Sequence, residues 1–178
     1  MMPAAAVVVA CAMSLIPSIQ SNEPDPSTAT QEYHVRPLDP LVQEWIRIGE
    51  ANSRTFGALL ERLAASDVIV HVVLVDRIKG GAQGQLLFAT STATARFLRI
   101  ELRSGGTTTE MVALLAHELQ HAVEVANAPY VRNSQAMATL YLRPGDQSAR
   151  YDSAEARQMG ERVSGELAAR TSFGQIIR

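Results

Sequence analysis

The chain has 178 residues, 47% of them hydrophobic, with 16 Lys and Arg against 18 Asp and Glu for a net charge of -2. That length gives room for one domain with a sizeable core. The charge balance, the lack of any Lys/Arg cluster and an aromatic content of 5% exclude a nucleic-acid partner that would need basic stripes and stacking rings.

At the amino end, "MMPAAAVVVACAMSLI" (Met1 to Ile16) is small and apolar and is followed by Pro17. The run is too short for a bilayer span, which needs about 20 residues. It suits the core of a secretory signal, although the basic residues expected before it are missing and the natural start is expected upstream. Residues 1–20 therefore read as a signal peptide or lipoprotein signal, and the chain as exported, periplasmic or secreted, without a transmembrane helix. "VVAC" (Val8 to Cys11) resembles the bacterial lipoprotein box, which implies a membrane tether through lipidation of Cys11. Cys11 is the single cysteine, so a mature body without the signal has no thiol for a disulfide or a metal. Residues 21–38 lie in a stretch rich in Ser, Thr, Pro, Asn and acidic residues that buries little and reads as a flexible linker. His34 within it reads as a solvated loop histidine.

The domain is expected over residues 39–178. Asp39 can cap a helix that has Pro40 at its first position. Leu41, Val42, Trp45, Ile46, Ile48, Phe56, Leu59, Leu60 and Leu63 then recur at helical spacing with one buried stripe. Gly49 and Gly57 mark close packing or a bend along it. "DVIVHVVLVD" (Asp67 to Asp76) is apolar on both faces and reads as a central strand, with His71 as a core histidine. "RIKGGAQGQ" lacks the Walker lysine spacing and reads as a hairpin loop. "LLFAT" and "RFLRIEL" supply two more strands. In the second, Leu98, Ile100 and Leu102 form the buried face. Strands followed by helices indicate α+β: a small antiparallel or mixed sheet packed on helices.

"SGGTTTEMVALLAHELQHAVEVANAP" signals a helix at both ends. Thr107 and Glu110 match a capping box, and Asn127 to Pro129 supplies the stop. Val112, Leu115, Leu119, Ala122, Val123 and Ala126 form one apolar stripe, with Leu114 and Val125 on another, so the helix is buried. His117 and His121 are one turn apart and project from one face. Two such nitrogens can fill two corners of a tetrahedral zinc site. In the pattern H-E-x-x-H the glutamate, here Glu118, acts as general base toward the water that the metal activates. A metal would also compensate the burial of these polar groups.

This "HELQH" helix, following strands, resembles the zincin metallopeptidases, and in particular small bacterial proteins in which an HELQHA-type helix precedes a second helix. In those proteins the second helix bears an acidic residue, a later Gly and a final Glu-Leu, matched here by "YDSAEARQMGERVSGEL" (Tyr151 to Leu167). The resemblance covers roughly Asp67 to Leu167. It implies a zinc-dependent hydrolase of peptide bonds, acting on a peptide or protein substrate.

A catalytic zinc needs a third protein ligand, and in the glutamate-type zincins it comes from a downstream helix. By stripe, Asp152 shares the apolar, inward face with Ala156, Gly160, Val163 and Leu167, whereas Glu155 lies with Met159, Arg162 and Glu166. Family habit favours a glutamate, so Glu155 remains the alternative; Asp152 and Glu155 also match a helix cap. Glu124, three residues after His121, is a candidate to hold a ligand from behind or to form a salt bridge. Tyr130, Tyr141 and Tyr151 are candidates to donate a hydrogen bond to the oxyanion. Two rival readings are a catalytically silent metal-binding envelope module and a zincin-like regulator that cleaves a repressor. An intact Glu118 counts against the first. The apparent export signal counts against the second.

Overall fold

A computed structural model describes residues 34–142 and 152–176, with side chains to residue 170. The signal segment, Cys11, most of the linker and Tyr151 lie outside the described residues.

The domain is α+β. Strand β1 (Val35–Pro37) leads into helices α1 (Pro40–Asn52) and α2 (Arg54–Ala64), then strands β2 (Val68–Val75), β3 (Gly84–Ser91) and β4 (Arg96–Arg103). Helices α3 (Thr108–Ala126), α4 (Ser134–Tyr141) and α5 (Ala154–Ile176) follow. The four strands form one mixed sheet in the order β1-β2-β4-β3. β2 is parallel to both β1 and β4, while β3 runs antiparallel to β4 on the edge.

Alternation along the strands sorts the two sheet faces. Val68, Val70 and Val72 of β2 and Leu98, Ile100 and Leu102 of β4 are each 0% exposed. They join Val42, Phe56, Leu59 and Leu63 from the first two helices and Val112, Leu115, Leu119 and Ala122 from α3 in one core. The opposite face carries Ile69, His71, Phe97 and Arg99, which are half-buried or exposed. His71 is thus half-buried on the open face of the sheet and not in the core. That burial, with Arg36 nearby, holds its pKa below the usual histidine value.

Three further expectations change. The stretch 21–38 is not all linker, because Val35 to Pro37 pair with Val70 to Val72. His34 opens that strand: its Nδ1 donates to the Val68 carbonyl at 2.9 Å, and its own carbonyl accepts from Val70 N. The strand is too short and too near two prolines to show a pattern of its own. The Gly-rich turn after β2 is not a hairpin loop, because β4 lies between β2 and β3. The hairpin is instead β3–β4, closed by Thr92 N donating to the Ala95 carbonyl.

The third change is the helix from Pro40, which breaks at Ser53. Ser53 accepts from Phe56 N and caps α2, and Gly49 lets the ring of Phe56 pack where a Cβ would come within 2.7 Å of it. The apolar stripe runs on across the break, which is why spacing alone reads it as one helix. Among the described residues, no helix is long and apolar enough to cross a membrane.

Candidate metal centre

Helix α3 begins at the expected capping box, with the side chains of Thr107 and Glu110 each bonding the other's backbone amide. Its C-terminal carbonyls are gathered by Arg96 of β4, whose guanidinium is 1% exposed. Arg96 donates to Val125, Ala126 and Ala128 carbonyls at 2.6, 3.1 and 2.9 Å and forms a two-pronged pair with Asp67. Capping of this kind satisfies carbonyls that have no partner within the helix. The helix is therefore held at both ends while its middle faces α5.

α3 and α5 pack closely at Gly160, where a Cβ would sit 3.2 Å from the Ala113 carbonyl oxygen and 3.6 Å from His117 Cβ. Ala156, Val163 and Leu167 of α5 are buried, so this is the inward stripe that the spacing indicates. It carries Asp152, just ahead of the helix, to the histidines. Ligand atoms of His117, His121 and Asp152 all lie within 4.8 Å of one another, and His117 Nε2 is 3.7 Å from Asp152 Oδ1. Tetrahedral zinc with bonds of about 2.1 Å sets its donors about 3.4 Å apart, so small side-chain rotations close the set. Glu155 is exposed on the first turn of α5 and does not join the group. The cap role read for Asp152 and Glu155 falls instead to Ser153, whose Oγ accepts from Ala156 N at 3.0 Å.

The electrostatics suit a cation. His121 is 2% exposed, and its Nε2 is buried without any hydrogen-bond partner. Its Nδ1 is 2.9 Å from Glu124 Oε2. In the tautomer that donates from Nδ1 to that carboxylate, Nε2 carries the lone pair that a metal would need. Glu124 also accepts from Ser153 Oγ at 2.5 Å and from Tyr141, and although burial opposes it, the sum of these bonds holds its carboxyl below the usual range. Burial, followed by the neighbouring His121, lowers the pKa of His117, which favours the neutral, ligating imidazole. Arg157 binds the other oxygen of Asp152, with Nη1 to Oδ2 at 2.8 Å.

Glu118 is 4% exposed, and burial pushes its carboxyl up to about 7 against a partial offset from His121. Its room is made by Gly84 at the start of β3, where a Cβ would stand 2.5 Å from Glu118 Oε1. Gly84 has no left-handed φ, so the glycine is needed for space and not for backbone conformation.

The tyrosines separate. Tyr130 is 64% exposed in the turn after α3. Tyr141, brought in by α4, stacks edge-on to His121 at 5.3 Å, and its single hydroxyl proton is shared between the His121 carbonyl, 3.2 Å away, and Glu124. Gly84, Ser153, Arg157 and Arg96 were not visible as site residues in the sequence. Ser153 alone left a local signal, as the residue just before a helix, where caps are common. No family model matches the chain, and no curated protein or solved structure matches it either.

Proposed function

We propose that His117, His121 and Asp152 hold a zinc ion and that Glu118 is the general base of a peptide-bond hydrolase. The observation that carries this reading is His121 Nε2: a buried nitrogen without a hydrogen-bond partner, on a side chain grouped with a second imidazole and a carboxylate. A buried polar atom without a partner costs about 1–3 kcal/mol, and a cation at that point removes the cost. Two imidazoles and one carboxylate suit zinc and leave a fourth position open. Zinc bound there supplies Lewis-acid chemistry, lowering the pKa of water toward about 7 and polarising a scissile carbonyl.

The chain's own groups do the rest. Glu118, buried beside the histidines, would take a proton from the attacking water and give it to the leaving amine. Glu124, fastened by Ser153 and Tyr141, orients His121, while Arg157 turns the free oxygen of Asp152 toward His117. The substrate is a peptide or protein. The domain works after export, in the periplasm or outside the cell, released by removal of a signal peptide or held by a lipid on Cys11.

Metal analysis of the purified chain tests the site. One zinc per chain is expected, and none in the His117→Ala, His121→Ala double variant. Full occupancy in that variant would remove the site from consideration.

A further inference from the structure

A groove of about 310 Å³ runs between α2 and α5, lined by Arg54, Thr55, Ala58, Leu59, Arg62, Met159 and Arg162. None of these residues belongs to the candidate metal centre. Arg54, Ala58 and Arg62 follow at four-residue steps and share one face of α2, which sets the two arginines about 12 Å apart along the helix. Arg162 faces them from α5 across a floor of Ala58, Leu59 and Met159.

The three guanidiniums stand out by what they lack. Arg47, Arg96, Arg99, Arg132 and Arg157 each lie against a carboxylate. Among the described residues, Arg54, Arg62 and Arg162 make no such ion pair. Among the described residues, the only side-chain hydrogen bond of the three is a long one, from Arg62 to Gln120 Oε1 at 3.5 Å. No acidic residue is among those lining the groove. On α5, Glu166 is turned to Ser53 Oγ, Thr55 N and Thr55 Oγ1 at 2.5, 3.1 and 2.6 Å, where it caps α2, and the charge of Arg162 also acts on its carboxyl. Three positive charges are thus concentrated on a chain whose net charge is -2.

We propose that this groove binds a small multivalent oxyanion. Guanidinium forks pair with phosphate and carboxylate oxygens in the same two-pronged way, and the volume fits a small molecule. The apolar floor takes the ligand's carbon body or its less polar face. This assignment does not depend on the metallopeptidase reading.

Calorimetric titration of the full chain with pyrophosphate, and separately with citrate, tests it. Saturable binding of one anion per chain is expected. It should weaken at least tenfold in an Arg54→Gln, Arg162→Gln variant that keeps the wild-type zinc content and thermal midpoint. Because both side chains are exposed, that variant is expected to fold. Tighter binding of pyrophosphate assigns the site to phosphate-bearing ligands, and tighter binding of citrate to polycarboxylates. No binding of either anion overturns the proposal. So does equal affinity in the variant, which would put the anion elsewhere, including on the metal.

Discussion

Two buried polar clusters meet α3, one at its C-terminal end and one at its middle, and they are satisfied to opposite degrees. At the end, every nitrogen of the Arg96 guanidinium has an acceptor, in Asp67 or in the carbonyls that close the helix. At the middle, His121 Nε2 has none, and beside it Glu118 is 4% exposed with its carboxyl pushed up by burial. Both clusters carry ionisable groups in the same low-dielectric core. A fully paired network contributes rigidity, whereas an unpaired one is a cost that persists only if something outside the chain completes it. The first cluster reads as scaffold and the second as a site.

The contrast can be broken by mutation, and the largest effect belongs to the scaffold. Arg96→Met should cost a few kcal/mol, because the buried helix-end carbonyls lose their charged donor at about 1–3 kcal/mol each, while Asp67, 35% exposed, is left to solvent. Chemical denaturation would measure it. A loss under about 1 kcal/mol would mean that the cluster does not hold the helix end.

The two clusters should also titrate in opposite directions. Asp67 has its pKa lowered, chiefly by Arg96, so its stabilising contribution is present above the ordinary carboxylate value and is lost as pH falls through the depressed one. Glu118 has its pKa raised from 4.5 to about 7. Its contribution in the metal-free protein is present below pH 4.5 and is lost as pH rises through about 7. Metal-free protein should therefore lose a few kcal/mol between those values, and Glu118→Gln should remove that loss. Unfolding free energies at a series of pH values check it; an unchanged profile in the Gln variant would exclude Glu118 as the source.

A smaller effect is expected at Gly84. Gly84→Ala should cost about 1–3 kcal/mol, as overpacking usually does, and should cost much less in a Glu118→Ala background. A double-mutant cycle on thermal midpoints reads this coupling directly. Additive effects would show that the two residues do not share the space.

How much of this was legible in the sequence follows from how local each signal is. Helix α3 was readable in full, because its cap, its stripe and its stop are all contiguous. The face that carries Asp152 to the histidines was readable as well, since position on a helical face is a local property. The order of the strands was not readable. Inserting β4 between β2 and β3 is a long-range pairing, and the Gly-rich turn at Lys79 to Gly81 looks the same whether or not its flanking strands are neighbours. β1 was hidden because its residues show no alternation and gain their structure only from β2. The break at Ser53 was masked by an apolar stripe that stays in phase across it. Within the site, H-E-x-x-H named two of the three ligands and the base of the proposal. The link from Ser153 through Glu124 to His121 joins two helices far apart in sequence, and the space left by Gly84 is a property of packing alone.

The most direct test of the proposed chemistry compares zinc-loaded wild-type protein with zinc-loaded Glu118→Gln on a peptide library. The wild type should cleave peptides. The variant should keep one zinc per chain while its rate falls by about 10²–10⁴-fold, the usual contribution of a general base. A zinc-loaded wild type that cleaves nothing, or a variant as active as the wild type, would contradict the account.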